Sequence, residues 1–328
     1  MSTTGPAGAA GGAQDLLRTG DRPEACAAAP RVWVGPEQDP LVEEAVRAAG
    51  GVLTTPAEAE VVVWLHREPS DLHRYLHSGV TWVQLSVSGV DSWIDDPVLV
   101  SGPRFTSTRG AYASAVAEHA LALLLVGARS LAVAARNSTW ERLDTRMLSG
   151  ASVAVVGAGG IGQELIRFLQ PFRCRILAVN RSGTAVDGAD VTLPVSRLDD
   201  VCRVADYVVL AAPGTQQTRA MIGAVQLARM SSDAWIVNVG RGTLVDTEAL
   251  CAALASGSVR GAALDVTDPE PLPDGHPLWR EPRCLITSHS ANPADARLAA
   301  IARRAADNLR RYAAGEPLIA QIDVHAGI

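Results

Sequence analysis

Several features that would assign a protein to a special class are scarce or missing in this sequence. Cysteine occurs only five times, widely spaced and with no CxxC pair, which argues against a disulfide framework and a zinc site. Basic residues are not in excess, since the net charge is −6, so no nucleic-acid partner is expected. Aromatic residues form 4% of a chain that is 48% hydrophobic, so the core must be built mainly from Ala, Val and Leu.

No segment has the uninterrupted apolar length that a bilayer requires. The longest apolar run, "HALALLLVGARSLAVAA", follows Glu118 and is broken by Arg129, so it predicts a helix for a protein interior or a subunit interface. The first thirty residues lack the basic start and the continuous apolar core of a signal peptide. Their Gly, Ala and Pro content predicts a flexible tail over residues 1–29. A cytoplasmic protein with no membrane partner fits these absences best.

The sequence does contain a regular alternation of short β-branched runs and helical stretches. Its 328 residues have room for about two domains, and the alternation predicts parallel sheets covered by helices. The first series is "RVWV", "LVEEAVRAAG", "EVVVWL", "SDLHRYLH" and "TWVQLSVSG". A long Ala/Leu helix over about residues 113–135 follows, and the second series is "ASVAVVGAGGIGQELIRFLQPF", "CRILAVN", "DYVVLAAP", "AWIVNVG", "GAALDV" and "RCLITS". The predicted fold class is α/β with two doubly wound, Rossmann-like parallel-sheet units.

The stretch "VAVVGAGGIG" contains a glycine motif that indicates a nucleotide site. Gly157, Gly159 and Gly162 have the spacing G-x-G-x-x-G between an apolar strand and a helical segment, with Gly160 and Ile161 in the same turn. Glycines in this context allow a tight turn, close approach to a pyrophosphate and close packing of helix on strand. We predict that a dinucleotide binds with its pyrophosphate at the amino end of the helix.

The end of the second strand of this unit bears on the choice of nicotinamide cofactor. An NAD site usually carries Asp or Glu there for the ribose hydroxyls, whereas this chain has Asn180, Arg181 and Ser182. A guanidinium can bind a 2′-phosphate with two parallel hydrogen bonds, and a serine hydroxyl can add another. The sequence therefore favours NADP, with NAD possible.

Three polar stretches follow later strands and should meet beyond the carboxyl ends of the sheet. They are "IVNVGRG" with Arg241, "ALDVTDPEPLP" with Asp265 and Glu270, and "TSHSAN" with His289. Arg241 can hold a carboxylate and polarise a carbonyl group. Since His289 can give or take a proton and Glu270 can orient its ring, we predict that these three side chains are catalytic.

These motifs together resemble those of the D-isomer-specific 2-hydroxyacid dehydrogenase family, from about residue 31 to the C-terminus. The matching stretches are "SVSGVDSW", "AYASAVAEHALALLL", "VGAGGIGQELIRFLQPF", "APGTQQTRAMIG", "IVNVGRGTLVDTEAL", "GAALDVTDPEPLP" and "HPLWREPRCLITSHSAN". The resemblance implies a nucleotide-binding domain over residues 110–291, inserted into a substrate domain made of residues 30–109 and 292–328.

The resemblance also implies roles for individual residues. His289 falls on the catalytic histidine of the family, Glu270 on its carboxylate partner and Arg241 on the substrate-orienting arginine. The further matches are Asp265 near the nicotinamide end of the cofactor, Ser88 and Gly89 in the loop whose amides receive the substrate carboxylate, and Pro213 and Thr215 in a loop that lines the nucleotide. Three positions depart from the family pattern and affect the expected shape of the substrate pocket: Gly214, Ser288 and Asn292.

The predicted function is reduction of a small 2-keto acid, such as glyoxylate or hydroxypyruvate, with NADPH. Two alternatives stay open: a dehydrogenase of a larger or phosphorylated 2-hydroxy acid, and a nucleotide-sensing binding protein like the corepressors that share this fold. The first alternative draws on "WLHREPSDLHR", whose His66, Arg67, His73 and Arg74 we interpret as solvent-facing charge. The retained catalytic residues favour an enzyme over the second.

The remaining expectations concern metals and assembly. Four histidines lie outside the motifs: His66, His73, His77 and His325. No metal site is predicted, because other metal-ligating residues do not accompany them. His119, beside Glu118, is interpreted as a hydrogen-bonded helix histidine. The helix over residues 113–135 is apolar nearly all round, so we expect it to form a homodimer interface.

Overall fold

The computed structural model of the protein describes residues 28–69, 71–90, 93 and 96–323. Most of the predicted tail over residues 1–29, namely residues 1–27 with Cys26, lies outside the described residues, and so does His325. The described chain contains two parallel β-sheets, which confirms the predicted fold class.

The first sheet has five strands in the order β2-β1-β3-β4-β5. The strands are β1 (Arg31–Gly35), β2 (Val52–Leu53), β3 (Val61–Trp64), β4 (Trp82–Leu85) and β5 (Arg104–Thr106). Two helices cover one face, α1 (Pro40–Ala48) and α8 (Ala294–Ala313), which lie side by side. The chain therefore returns to its first sheet after completing the second.

Packing of this first unit follows from the alternation of valines along its strands. The face under α1 and α8 is lined by Val32, Val34, Val61 and Val63, all buried, and Ile301 of α8 packs against them. Side chains alternate between the two faces of a strand, so the intervening residues form a second core on the opposite face.

The second sheet has seven strands in the order β12-β11-β10-β9-β6-β7-β8, which is the doubly wound Rossmann order with one extra strand. The strands are β6 (Ser152–Val156), β7 (Arg175–Asn180), β8 (Val191–Pro194), β9 (Tyr207–Leu210), β10 (Trp235–Asn238), β11 (Gly261–Leu264) and β12 (Cys284–Ile286). The helices are α2 (Ala113–Ala128), α3 (Leu131–Ala134), α4 (Gly160–Leu169), α5 (Leu198–Val204), α6 (Ala224–Arg229) and α7 (Thr247–Ser256).

Short 3₁₀ turns connect several of these elements: Pro56–Glu58, Leu72–Tyr75, Pro97–Val100, Gln170–Phe172, Val195–Arg197, Gly242–Leu244 and Pro277–Trp279. Within the described ranges, none of the helices has both the length and the apolar character needed to cross a bilayer.

Two predicted helices were wrong in extent. The helix expected over residues 113–135 ends at Ala128, because Ser130 has a left-handed backbone (φ +52°), and a short helix α3 follows. The Ser130 hydroxyl donates to the carbonyl of Asp144 over 2.6 Å, which anchors the turn. The segment "SDLHRYLH" forms only the 3₁₀ turn Leu72–Tyr75, and residue 70 at its start lies outside the described residues.

The register of the second sheet places the end of each strand on one row. Adjacent strands pair Val179 with Val156, Val156 with Leu210, Leu210 with Asn238, Asn238 with Leu264, and Leu264 with Ile286. Because all these strands are parallel, the residues just after this row lie along one edge of the sheet. The predicted site residues of the second unit follow that row within a few positions, with Gly162 and Glu270 the furthest.

Candidate active site

The glycine turn after β6 has the backbone that its sequence predicts. Gly157 adopts a left-handed conformation (φ +99°), and a Cβ at this position would lie 2.5 Å from the backbone nitrogen of Ala212. A Cβ at Gly162 would lie 2.2 Å from the carbonyl oxygen of Gly157. Only glycine therefore lets α4 start this close to the end of β6.

The middle of the turn is open where a phosphate would lie. A Cβ at Gly159 would meet no atom within 4 Å, and α4 begins at the next residue, Gly160. The first N–H groups of a helix lack acceptors within the helix and favour an anion. Space and unpaired donors occur together at the amino end of α4, which fits a bound pyrophosphate.

The strand beside the glycine turn ends in the residues predicted to choose the cofactor. The Gly157 N–H donates to the carbonyl of Val179 over 2.8 Å, which ties the two strand ends together. Asn180 closes its own turn, since its amide oxygen accepts from the Gly183 N–H over 2.6 Å. Arg181 is exposed, and its guanidinium has no hydrogen-bond or ion-pair partner among the described residues. Arg181 is therefore a cation available at this edge.

A loop after β9 covers the other side of the glycine turn. It contains Pro213 and Thr215, and the Thr218 hydroxyl closes it by donating to the Pro213 carbonyl over 2.7 Å. The same hydroxyl accepts from the Thr215 N–H over 2.8 Å. The loop therefore has a fixed shape next to the proposed nucleotide site.

His289 and Glu270 form a pair at the mouth of a cleft. His289 Nδ1 lies 2.7 Å from Glu270 Oε1, and each side chain is a little over 40% exposed. A carboxylate only accepts hydrogen bonds, so Nδ1 carries the hydrogen and Nε2 is left for a substrate. His289 also has a left-handed backbone (φ +50°), which is uncommon for a residue with a side chain, and its N–H donates to the Asp265 carbonyl over 2.8 Å.

A buried network beneath His289 is centred on Asp265, whose side chain is 1% exposed. Its carboxylate accepts from the Thr287 hydroxyl over 2.5 Å and from the N–H groups of Ser290 and Ala291 over 2.9 and 3.1 Å. His119 Nε2 lies 3.3 Å from the same carboxylate and 3.1 Å from the Thr287 oxygen.

The protonation of this network follows from these contacts. Burial disfavours the charge of Asp265, but the hydrogen bonds from His119, Thr287 and the two backbone N–H groups outweigh it, and the pKa of the carboxyl lies well below its usual value. The Thr287 hydrogen is given to Asp265, so the hydrogen between His119 and Thr287 must come from His119 Nε2. His119 is thus a hydrogen-bonded helix histidine whose partners belong to the site.

Arg241 is positioned by a buried asparagine at the end of β10. The Asn238 amide donates to the Arg241 carbonyl over 2.8 Å and accepts from the Gly240 N–H over 3.1 Å. The next residue, Gly242, packs so tightly that a Cβ would lie 1.8 Å from the Thr267 carbonyl oxygen. The turn that carries Arg241 is therefore held against the loop that leads to Glu270.

The side chains predicted to be catalytic face a cleft of about 940 Å³ that residues of both units line. The first unit contributes Ser88 and Gly89, and no described residue accepts from their backbone N–H groups. The second unit contributes Arg241, Glu270 and His289 to the same lining. The cleft thus brings together the three residues predicted to be catalytic with Ser88, Gly89, Ile161 and Asp265, whereas the glycines of the turn, residues 180–182, Pro213 and Thr215 are not among its lining residues.

The cleft also contains residues whose contribution the sequence did not reveal. Asn238 and Thr287 hold the segments of Arg241 and His289, yet neither stands out as a titratable residue or as part of a glycine motif. Arg67, interpreted as solvent-facing charge, is exposed but lines the cleft, so that interpretation was incomplete. Arg297 lines it as well, from the first turns of α8.

Comparison with known proteins agrees with this geometry. The family model for the NAD-binding domain of the D-isomer-specific 2-hydroxyacid dehydrogenases matches residues 120–291. Glyoxylate reductase from Aeropyrum pernix is 33% identical over 223 residues, which cover 64% of this chain and 67% of that protein. Human glyoxylate reductase/hydroxypyruvate reductase is 30% identical over 243 residues, or 71% of this chain and 74% of that protein.

A solved structure gives a similar result for the whole fold. A D-isomer-specific 2-hydroxyacid dehydrogenase from Xanthobacter autotrophicus Py2, in complex with NADPH and MES, superposes with a TM-score of 0.78 at 27% identity. The match covers 92% of this chain and all of the other. Both units of the present chain are therefore included in the similarity.

Proposed function

Because the chain belongs to the D-isomer-specific 2-hydroxyacid dehydrogenase family, we propose that it is an NADP-preferring reductase of small 2-keto acids of the glyoxylate and hydroxypyruvate type. Members of the family are oxidoreductases that use a nicotinamide cofactor and act on small 2-hydroxy or 2-keto acids. The observation that carries the catalytic part is the 2.7 Å pair of His289 and Glu270 at the edge of the cleft.

The roles of the side chains follow from their chemistry. A bound NADPH would supply the hydride that reduces the carbonyl carbon. Arg241 stabilises the negative charge that the carbonyl oxygen gathers, and His289 gives that oxygen a proton from Nε2. Glu270 keeps the histidine ring oriented and stabilises the charged ring before it gives up the proton. The amides of Ser88 and Gly89 receive the substrate carboxylate.

The residues that would hold the cofactor lie along one edge of the second sheet. The glycine turn, with Gly160 and Ile161 at the start of α4, binds the pyrophosphate, and the loop of Pro213 and Thr215 lines the nucleotide. Arg181, together with Asn180 and Ser182, contacts the 2′-phosphate. The relative from Xanthobacter autotrophicus, solved with NADPH, supports this choice, and NAD remains a possible second cofactor.

The proposal includes the organisation of the chain. Residues 30–109 and 292–328 form the substrate domain, of which 324–328 lie outside the described residues, and residues 110–291 form the nucleotide-binding domain. Packing of α8 on α1 supports this division. The partly buried apolar side chains of α2 support a homodimer through that helix, and the free thiols of the four described cysteines support a reducing cytoplasm.

A direct assay tests this function. The purified protein is given NADPH or NADH with glyoxylate, hydroxypyruvate and pyruvate, and the loss of absorbance of the reduced cofactor is followed. We expect turnover with at least one keto acid, and kcat/KM for NADPH at least about tenfold above that for NADH, equivalent to about 1.4 kcal/mol. Saturable NADPH binding without any turnover would contradict the enzymatic part, and equal efficiency with the two cofactors would contradict the cofactor choice.

A further inference from the structure

Two arginines that the proposed reaction does not use line the same cleft. Arg67 follows β3, and Arg297 lies in the first turns of α8, so they reach the cleft from separate elements of the first unit. Among the residues that the structure describes, no acceptor or carboxylate pairs with either guanidinium. Arg74, a few residues beyond Arg67, differs because it pairs with Asp71 over 3.1 Å.

The segment that carries Arg67 is held in place by buried indoles. Trp93 Nε1 donates to the Arg67 carbonyl over 2.8 Å, and Trp64 Nε1 donates to the carbonyl of Glu68 over 3.1 Å. Both tryptophans are fully buried. The hydroxyl of Ser86, which follows β4, donates to the two carbonyls that precede this segment, over 3.0 and 3.2 Å. The Arg67 backbone is therefore fixed beside the loop of Ser88 and Gly89, although the side chain is exposed.

Tyr112 lines the same cleft as the two cations. Its hydroxyl donates to the Ser86 carbonyl over 2.6 Å. Burial raises the pKa of this hydroxyl, and the positive charges of Arg297 and Arg67 are among the influences that oppose the rise. Both guanidinium groups therefore influence a wall of the cleft at Tyr112, whose partner Ser86 stands two residues before Ser88 in the same lining.

Among the described residues that line the cleft, no acidic side chain pairs with either of these cations. Glu270 is engaged with His289, and Asp265 is buried in its own network of donors. Glu68 also lines the cleft, is exposed, and makes no ion pair with a described residue. The described lining of the cleft thus has two positively charged groups in addition to Arg241, more than a substrate with a single carboxylate requires.

We propose that Arg67 and Arg297 form a second anion-binding subsite, and that the preferred substrate is a small 2-keto acid with a second carboxylate or a phosphate on its chain. The inference rests on the proposed function, because it orders substrates within the class of 2-keto acids. Guanidinium groups suit either anion, since both accept two parallel hydrogen bonds. Substrates with a single carboxylate, such as glyoxylate, still react but leave the subsite empty.

Matched pairs of substrates test the subsite. The pairs are oxaloacetate with 2-oxobutyrate, 2-oxoglutarate with 2-oxopentanoate, and 3-phosphohydroxypyruvate with hydroxypyruvate. For at least one pair we expect kcat/KM of the doubly charged member to exceed that of its partner by about tenfold or more, and the excess to shrink as salt rises. The pair that shows the excess distinguishes a carboxylate from a phosphate.

Variants then assign the excess to the two arginines. Arg67→Gln and Arg297→Gln should each lower kcat/KM for the doubly charged substrate about tenfold, through KM, and change the singly charged partner less than about threefold. Arg74→Gln is the matched control, because it removes the same charge from a nearby residue that does not line the cleft. An equal loss on both members of a pair would show a structural role and overturn the subsite.

A binding measurement separates failure of the subsite from failure of the proposed function. In NADPH-saturated enzyme, where a hydroxy acid cannot react, calorimetry compares D-malate with D-2-hydroxybutyrate. Tighter binding of D-malate that is lost in Arg67→Gln supports the subsite even if no keto acid is reduced. Equal affinities, together with equal kcat/KM within every pair, would overturn it while leaving a monoanionic 2-keto acid reductase intact.

Discussion

Replacement of Asp265 by Asn tests whether the buried network holds His289, the proposed proton donor. The carboxylate accepts from the N–H groups of Ser290 and Ala291, and the Asp265 carbonyl accepts from the N–H of His289. The network therefore fixes the segment on both sides of the left-handed His289. We expect Asp265→Asn to lower both the free energy of unfolding and kcat, with NADPH affinity changing less.

The size of the effect follows from the contacts. Asparagine is similar in shape but has one oxygen and one NH₂ group, so its NH₂ must face a hydrogen-bond donor in either orientation. In one orientation it faces the Ala291 N–H, and in the other it faces the Thr287 hydroxyl and the Ser290 N–H. A lost hydrogen bond to a charged group costs about 1.5–3 kcal/mol, and a buried donor without an acceptor about 1–3 kcal/mol. Because the site can relax in part, we expect a loss of about 2–4 kcal/mol in total. Displacement of the histidine by even ~1 Å can lower kcat about 10²-fold.

The pH dependence has a definite direction. The pKa of Asp265 is lower in the folded protein than in the unfolded chain, because its donors favour the charged form more than burial disfavours it. Its ionisation therefore stabilises the fold at pH values above the unfolded pKa of about 4, and this contribution is lost as the pH falls from there towards the folded pKa. The difference in unfolding free energy between the parent and Asp265→Asn should be constant above about pH 5 and should shrink below about pH 4.

Urea unfolding at pH 7, 5 and 3, with kcat for the best keto acid, measures both effects. Asp206→Asn is the matched control: its carboxylate accepts a single backbone N–H, from Ser152 over 2.8 Å, in the same sheet but away from the cleft. The control should lose about 1 kcal/mol and keep its activity. Parental kcat and an unchanged unfolding free energy in Asp265→Asn would refute the argument that this network supports His289.

Other predictions test separate parts of the site. His289→Gln should lower kcat about 10²–10⁴-fold in a pre-steady-state assay, with NADPH affinity nearly unchanged, and near-parental kcat would mean that the proton has another source. Because His289 and Glu270 act as a unit, the double variant with Glu270→Gln should have a kcat only slightly lower than that of His289→Gln. Arg181→Ala should reduce the preference for NADPH about tenfold through its KM, and an unchanged preference would remove Arg181 from the phosphate site. Gly214→Ala would place a Cβ 2.9 Å from Arg241 Cγ and so displace the arginine side chain. We expect kcat/KM for the keto acid to fall about tenfold and KM for NADPH to stay unchanged. Activity equal to that of the parent would show that the arginine side chain moves freely. Light scattering at micromolar concentration should give twice the mass of one chain, and a monomer would contradict the dimer through α2.

The sequence predicts every inner strand and one edge strand, β12, but misses the other three edge strands. The strands missed were β2, β5 and β8, and each lies at the edge of a sheet. An edge strand is covered less completely, so it needs no continuous apolar run; every residue of β8, for example, is only half-buried. Their pairing comes from the neighbouring strand rather than from a pattern of their own.

The site divides in the same way between residues that carry a motif and residues that support it. The glycine turn, Arg241 and His289 could be predicted because their residue types are unusual after a buried strand. Thr287 and Asn238 could not, because a threonine or an asparagine at a strand end has many ordinary uses. Their roles depend on which strands are neighbours, and the sequence does not state that order directly.

The strand order explains why the supporting residues lie where they do. In β10, β11 and β12 the last paired residues are Asn238, Leu264 and Ile286, on one row. Arg241 and His289 each stand three positions beyond that row, on strands separated by β11, so β11 must supply the contacts that relate one to the other. On the side of β12, the carboxylate and the carbonyl of Asp265 accept hydrogen bonds from the segment that carries His289. On the side of β10, the carbonyl of Thr267 packs against Gly242, the residue after Arg241. A change in the loop after β11 should therefore disturb the arginine and the histidine together, whereas a change in either flanking loop should disturb only one of them.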